Sequence, residues 1–238
     1  MAPLHRMLIP LWLTAMLVPL GGCLKAGTGP AKTADYLIVD LVDEFAVDEP
    51  SDSWQFSTPG AWNIRTDGQR RFLYVSPRPA AQSGEAAALE SAIQGQYRFR
   101  NFSFSCHVRT DKGVGGKPCD ACLVFGRQDD RNYFLLDLTD LANKPNVSLV
   151  LIDRGRATQL ASATPPARNE FIRREWHQVG ILRNRETGSI EAYVDDDGRP
   201  LVRVKSSAYE WGTIGIGSTT GGAAFGRVII SGEATTMP

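Results

Sequence analysis

The sequence predicts an all-β protein made of two antiparallel sheets that pack face to face. Two observations support this class: short segments alternate apolar and polar residues, and turn residues are spread along the whole chain. The 238 residues include 23 glycines and 14 prolines, which suit many short strands better than long helices. The chain that follows residue 34 is long enough for one sandwich domain with a sizeable core.

Strand patterns recur at short intervals along that part of the chain. In FSFSCHVR, residues 102–109, the even-numbered side chains are apolar and the odd-numbered ones are polar, as in a half-buried strand. Residues 132–139 alternate in the same way around Phe134 and Leu136. The alanine-rich residues 85–93 are the one helix candidate, with helix and strand equally open. Further strands are predicted at 35–42, 61–65, 71–76, 121–127, 146–153, 190–194, 201–205, 213–218 and 226–231.

Residues 175–198, EWHQVGILRNRETGSIEAYVDDDG, predict a Trp-led strand, a turn and a second strand that ends in an acidic hairpin. This segment resembles the corresponding part of laminin-G-like and other concanavalin A-like domains. The wider run from DEF at 43–45 to the strand at 226–231 is similar to the 3-keto-disaccharide hydrolase branch of that superfamily. The resemblance implies a jelly-roll sandwich over residues 35–234, and it specifies the fold better than the chemistry.

The start of the chain predicts export. Arg6 precedes an apolar run, residues 7–18, that is too short for a membrane-spanning helix, so residues 1–22 are predicted to be a signal peptide. The following LGGC resembles the lipobox of bacterial lipoproteins, which implies that Cys23 is lipidated. We therefore expect a lipid-anchored protein of the bacterial cell envelope, with residues 23–34 as a flexible tether. Leu24, in place of an acidic residue after the cysteine, resembles lipoproteins that are forwarded to the outer membrane, which implies the outer membrane rather than the inner one.

The charge balance excludes a class of partners. Lys plus Arg and Asp plus Glu number 26 each, so the chain has no basic field with which to hold nucleic acid. We expect a monomer that does not bind nucleic acid.

Catalytic signatures are weak. Retaining glycosidases place two carboxylates close together, but no Glu in this chain is followed two residues later by Asp, and no Gly-x-Ser-x-Gly motif occurs. Glu175 and His177 share strand parity and are weak candidates for an acid/base pair. The simpler interpretation is a solvent-exposed Glu beside a partly buried His. These observations favour a protein without catalytic activity.

A binding face is the stronger candidate. His107 and Arg109 are predicted to point away from the core on one strand, and Tyr133 and Asp137 on another, with Arg127 nearby. If the strands share a concave sheet, they present a ring, cations and a carboxylate, which together suit a carbohydrate. The alternative is an ordinary solvated face with a cross-strand ion pair. Four tryptophans offer either a stacking platform or separate core positions: Trp54, Trp62, Trp176 and Trp211.

The cysteines predict a disulfide. In an oxidising compartment Cys106 is expected to pair with Cys119 or Cys122, which leaves one thiol. A redox-active Cys119–Cys122 pair is less favoured because CDAC opens a strand rather than a helix. A zinc site that includes His107 is disfavoured because Cys106 and His107 point to opposite faces. No metal or cofactor is expected, although calcium in two acidic loops stays open, with candidate ligands Asp129, Asp130, Asp195, Asp196 and Asp197.

Three functions follow from these patterns. The first is an envelope lipoprotein whose sandwich domain binds carbohydrate without catalysis. The second, implied by the resemblance, is a glycoside or 3-keto-glycoside hydrolase. The third is a structural or protein-interaction module of the envelope.

Overall fold

The computed structural model describes residues 36–77, 89–111, 119–141, 144–165, 175–195 and 198–237. Over these residues the chain forms fourteen strands and a single-turn 3-10 helix at Pro59–Ala61, and every strand pair is antiparallel. The strands are β1 Leu37–Asp43, β2 Trp54–Phe56, β3 Trp62–Asp67, β4 Arg70–Val75, β5 Glu90–Thr110, β6 Asp120–Asp129, β7 Asn132–Leu141, β8 Lys144–Asp153, β9 Arg156–Ala163, β10 His177–Asn184, β11 Ser189–Val194, β12 Val202–Lys205, β13 Gly212–Ser218 and β14 Ala223–Thr236.

Strand β5 belongs to both layers of the sandwich. Its first half pairs with β2 and β13, and from β13 the ladder continues through β6, β7, β8 and β9. We call this layer sheet I. The second half of β5 lies between β10 and β14, β10 continues to β11 and β12, and β14 also pairs with β1 and with the β3–β4 hairpin. We call this layer sheet II.

The core fills the space between the two layers. Phe125 and Phe134 of sheet I stack with their ring centroids 5.1 Å apart, and Phe102 of sheet II meets Phe125 edge-on at 6.0 Å. Phe104 is buried in the same cluster. Burying a side chain of this size contributes about 1.5–3 kcal/mol. The predicted two-sheet antiparallel sandwich is therefore confirmed.

The alternating segments at 102–109 and 132–139 form strands with the predicted inward and outward faces. The helix possible at 85–93 is wrong from Glu90 onward, where β5 begins; residues 85–88 lie outside the described residues. Gly215 and Gly217 of β13 explain this outcome, because a Cβ at either position would lie 2.5 Å from a carbonyl oxygen of β5. The close pairing overrides the helix propensity of the alanines.

The sequence patterns also missed three pieces of strand: β2, β9 and residues 94–101 of β5. Strand β2 has only three residues, too few for a periodic pattern. Strand β9 is mostly exposed and therefore lacks the alternation that marks a half-buried strand.

Candidate functional site

Polar side chains lie side by side across three neighbouring strands on the outer face of sheet I. Backbone pairing sets Cys122 of β6 opposite Asp137 of β7, and Asp137 opposite Ser148 of β8. Ser148 in turn lies opposite Ser162 of β9. Paired residues on antiparallel strands project to the same face with Cβ atoms about 4.5–5.5 Å apart. These four residues form a continuous line, which we call the polar row.

An apolar line runs beside the polar row. Its residues are two positions away from those of the polar row along each strand, and therefore lie on the same face. Val124 lies opposite Leu135, and Leu135 opposite Val150. Val124 and Leu135 belong to a small buried cluster, separate from the main core, that also contains Ile93. On the outer face of sheet I, hydrogen-bonding groups therefore lie next to an apolar strip, of which Val124 and Leu135 are buried.

Asp120, at the start of β6, is an ionised carboxylate held entirely by its neighbours. Its oxygens accept hydrogen bonds from the hydroxyl groups of Ser218, Thr219 and Thr220 and from the amides of Thr219 and Thr220. Burial alone raises the pKa of Asp120, but these hydrogen bonds outweigh it and lower the pKa below 3.8. The carboxylate is thus a structural anchor for the turn after β13.

Asp137 behaves in the opposite way. Burial, followed by the charge of Asp120, raises its pKa from 3.8 to about 6. One of its oxygens accepts a hydrogen bond from the Thr139 hydroxyl group at 3.0 Å. Among the described residues, the other receives only a long contact from the Cys122 thiol, at 3.7 Å. Asp137 therefore keeps acceptor capacity that Asp120 has already used.

The same residues have the composition of a metal site, so this possibility can be tested on their geometry. One ligand atom each of Asp120, Cys122 and Asp137 lies within 4.8 Å of the other two. The lone pairs of Asp120 are, however, already engaged by five hydroxyl and amide donors. Burial and the two carboxylates raise the pKa of Cys122 well above its ordinary value, which keeps the thiol protonated. The arrangement favours hydrogen bonding over metal binding.

Three of the five predicted ligand residues lie on sheet I. Tyr133 and Asp137 share the outer face of β7 and, being four residues apart, are separated by roughly 13 Å. Burial raises the pKa of Tyr133, and the charge of Arg127 opposes that effect. Arg127 itself pairs with Asp130. The face between Tyr133 and Asp137 thus combines a ring and a carboxyl group, as predicted from alternation.

The other two predicted ligand residues lie elsewhere. His107 and Arg109 are on the second half of β5, in sheet II, and project away from the core on its far side. The condition for a single surface, that both strands share one sheet, is not met, because β5 and β7 contribute these polar faces to opposite sides of the sandwich. Arg109 instead forms an ion pair with Asp67 at 2.5 Å and lies 4.9 Å from the Trp176 ring.

The tryptophans do not form a common platform. Trp54 and Trp62 are buried in the core, and the Trp54 indole donates a hydrogen bond to Asp43. Trp176 is half-buried against Phe72 on the outer face of sheet II. Trp211 lies near Arg100, with 5.6 Å between the guanidinium carbon and the ring.

The weak acid/base candidates are separated by strand geometry. His177 begins β10 with the same parity as the core residues Val179 and Ile181 and is buried, whereas Glu175 is exposed. The His177 ring lies 2.8 Å from Asp195, which also accepts a hydrogen bond from the Gln178 amide. Sequence parity alone did not indicate Asp195 as the partner of His177, although the sequence did predict an acidic hairpin at Asp195. The geometry assigns His177 to holding the start of β10.

The predicted disulfide is not formed among the described cysteines. Cys106 is buried in the core between the sheets, where its thiol donates weak hydrogen bonds to the carbonyl groups of His107 and Gly226. Cys122 belongs to the cluster on the outer face of sheet I. A bridge between these two would have to pass through sheet I. Cys119 is also buried.

The candidate calcium ligands make local turn contacts where the structure describes them. Asp129 accepts hydrogen bonds from the Arg131 amide and the Asn132 side chain. Asp130 pairs with Arg127, and Asp195 contacts His177. Asp196 and Asp197 lie outside the described residues. Calcium in these loops stays a prediction.

The predicted signal peptide, Cys23 and the tether also lie outside the described residues. In the part of the chain that is described, no helix is long and apolar enough to cross a membrane.

The fold and its two faces define the class: a concanavalin A-like jelly-roll sandwich. No protein-family profile matches the chain, and no curated protein matches it. Several solved structures match its fold. The carbohydrate binding module CBM66 from Bacillus subtilis is 14% identical, covers 75% of this chain and 95% of its own, and has a TM-score of 0.56.

Two other solved structures have the same architecture. A β-glucanase from Bacillus licheniformis is 12% identical over 81% of this chain and 97% of its own, with a TM-score of 0.54. A Bacillus subtilis protein of unknown function with a galectin-like fold is 11% identical over 83% of this chain and 98% of its own, with a TM-score of 0.56. At such identities the likeness shows the fold alone.

Proposed function

We propose that this protein binds carbohydrate on the outer face of sheet I, without catalysis, and that Asp137 of the polar row and Tyr133 make the contacts. The observation that carries the proposal is the unequal state of the two carboxyl groups. Asp120 is saturated with internal donors, whereas one oxygen of Asp137 has, within the described part of the chain, only a 3.7 Å thiol contact. A sugar hydroxyl group is a donor that this oxygen can accept.

The neighbouring side chains suit the rest of such a ligand. Thr139 supplies a hydroxyl group beside Asp137. The Tyr133 ring suits the C–H face of a sugar, which packs against aromatic surface. The fold is shared with a carbohydrate binding module and a β-glucanase, which supports a carbohydrate as the ligand class.

A glycan array followed by titration calorimetry tests this proposal. We expect the purified full-length protein to bind at least one neutral glycan, and Asp137→Ala and Tyr133→Ala each to weaken binding about tenfold. Asp52→Asn is the matched control, because Asp52 is exposed in a loop and makes no contact with the polar row. Binding that survives both sheet I changes would overturn the proposed site.

We also propose that a lipid on Cys23 anchors the domain to a membrane of the bacterial cell envelope. The LGGC sequence at residues 20–23 supports this. Labelling with a radioactive fatty acid should mark the wild-type protein and not Cys23→Ser. Equal labelling of both proteins would contradict the anchor.

A second candidate function is hydrolysis of a glycoside or 3-keto-glycoside. One observation favours it: the pKa of Asp120 is lowered and that of Asp137 is raised to about 6, and such a division marks acid/base pairs in enzymes. The saturation of Asp120 argues against its use as a nucleophile or base. Incubation with glycosides and 3-keto-disaccharides decides the matter, since product formation abolished by Asp137→Asn would favour the enzyme.

A further inference from the structure

A charged groove crosses the outer face of sheet II, on the other side of the molecule from the polar row. One depression of about 570 Å³ is lined by the β3–β4 hairpin and by Arg109 and Asp111. A second, of about 650 Å³, shares Asp67 with the first and is lined by Arg70 and Trp176. A third, of about 330 Å³, shares Arg70 and adds His107. The three adjoining depressions form what we call the arginine groove.

Aromatic rings fix the guanidinium groups of this groove. Arg70 and Arg109 each lie 4.9 Å from the Trp176 ring, and Arg109 is 5.0 Å from Phe72. Arg65 lies 3.6 Å above the Tyr74 ring. Cation–π contact of this kind holds the planar groups while their N–H edges remain available to a ligand. The groove is therefore preorganised for planar, bidentate hydrogen bonding.

Positive charge in the groove is only partly neutralised. Arg109 is paired with Asp67 at 2.5 Å and lies 3.7 Å from Asp111. Arg65 and Arg70 are exposed and form no ion pair within the described part of the chain. Burial lowers the pKa of His107, and the charges of Arg70 and Arg227 lower it further. The region near Arg70 is thus electropositive without help from an ionised histidine.

The groove also contains acceptors. Asp67 and Asp111 line it together with the arginines, and Gln69 lies beside Arg70. A compact anion such as phosphate would be repelled by the two carboxylates. A sugar acid carries one carboxylate for a guanidinium group and several hydroxyl groups for Asp and Gln acceptors.

We propose that the arginine groove binds the carboxylated sugar units of an acidic polysaccharide, at a site independent of the polar row on sheet I. Arg70 and Arg65 bind sugar carboxylates bidentately, Asp67 and Asp111 accept hydrogen bonds from the sugar hydroxyl groups, and the Gln69 amide accepts from or donates to them. A chain of sugar acids with regularly spaced carboxylates could engage both arginines at once.

Titration of the full-length protein with trigalacturonate, and with its neutral methyl ester, tests this proposal. Esterification should weaken binding at least tenfold, and Arg70→Ala and Arg65→Ala should each weaken trigalacturonate binding about tenfold. Arg156→Ala removes an equivalent exposed charge from sheet I and should leave affinity unchanged. Trp176→Phe keeps a ring under the arginines and should retain most of the binding that Trp176→Ala loses.

Several outcomes would overturn the proposal. Equal affinity for the ester would show that charge is not recognised, and equal losses in Arg70→Ala and Arg156→Ala would indicate non-specific attraction. Competition by inorganic phosphate at the concentration of the sugar acid would identify a general anion site instead. Asp137→Asn should not change trigalacturonate binding. This variant separates failure of the groove from failure of the sheet I site.

Discussion

On the outer face of sheet I the charged groups are carboxyls buried between strands, whereas on the outer face of sheet II they are guanidinium groups lying on aromatic rings. Asp120 depends on five neutral donors and Asp137 on a shared thiol and a hydroxyl group. Arg70 and Arg109 depend on the faces of Trp176 and Phe72. Burial and hydrogen bonding together control the charge of the first group, while stacking controls only the position of the second.

This difference has a physical basis. A buried carboxyl loses hydration and can respond by changing its pKa, as Asp137 does. An arginine remains charged under ordinary conditions and needs a surface that tolerates its flat, weakly hydrated group. We therefore expect changes on sheet I to alter stability and its pH dependence, and changes on sheet II to alter mainly ligand affinity.

The largest expected effect is that of Asp120→Ala. Removing this carboxylate leaves the buried donors of Ser218, Thr219 and Thr220 without an acceptor, so we expect the free energy of unfolding to fall by about 3 kcal/mol at pH 7. The matched change Asp67→Ala on sheet II should cost less than about 1 kcal/mol, because Asp67 is exposed. Urea denaturation measures both.

The stability lost in Asp120→Ala should depend on pH. The pKa of Asp120 is lowered below its unfolded value of 3.8, so its stabilising contribution is present above that value and is lost as the pH falls through the lowered pKa. The penalty of Asp120→Ala should therefore shrink in acid. Equal costs for Asp120→Ala and Asp67→Ala at pH 7 would erase the contrast between the two faces.

Asp137→Asn should have the next largest effect, with the opposite sign. The pKa of Asp137 is raised from 3.8 to about 6, so its protonated form stabilises the fold below 3.8 and that stabilisation is lost as the pH rises through 6. We expect the variant to be more stable than wild type by roughly 2 kcal/mol at pH 7.5, and equally stable at pH 3.5. Thermal unfolding across this range is the measurement.

Ligand affinity on sheet I should follow the same ionisation. A charged carboxylate accepts a sugar hydroxyl more strongly than a neutral carboxyl, so we expect affinity to rise about fivefold between pH 5 and pH 7.5. Asp137→Asn should flatten this profile. A wild-type profile that is already flat would remove Asp137 from the binding site, whatever the affinity.

The smallest expected effect is that of Arg109→Lys on sheet II. Lysine keeps the charge for Asp67 but loses the flat contact with Phe72 and Trp176, which we expect to cost roughly 0.5–1 kcal/mol of stability. Arg156→Lys, at an exposed position of β9, is the control and should be neutral. Chemical denaturation at pH 7 compares them, and a loss above about 2 kcal/mol would mean that sheet II also depends on buried charge.

Alternation in the sequence was sufficient to predict the sandwich and the facing of individual strands. Phe104 and Phe134 point into the core, and Tyr133 and Asp137 point out of it, as the two-residue period predicts. The period could not reveal β5 as a single strand of 21 residues, because its first half pairs closely with glycines of β13. That pairing is a contact between residues more than a hundred positions apart.

Only part of the candidate site could be predicted from the sequence, again because distant segments come together in the fold. Asp137 and Tyr133 were identified from their own strand, but the role of Asp120 depends on Ser218, about a hundred residues away. The arginine groove combines Arg109 with a hairpin around residue 67 and with Trp176. No local pattern connects these segments, so the sequence offered Arg109 and Trp176 as separate candidates.

The sequence by itself determined which side of each strand is apolar, because side chains alternate with a fixed period along any extended chain. Only the tertiary structure decided which strands lie in the same sheet, because that choice rests on hydrogen bonds between distant segments. It therefore also decided that His107 and Arg109 lie on one surface while Tyr133 and Asp137 lie on the other.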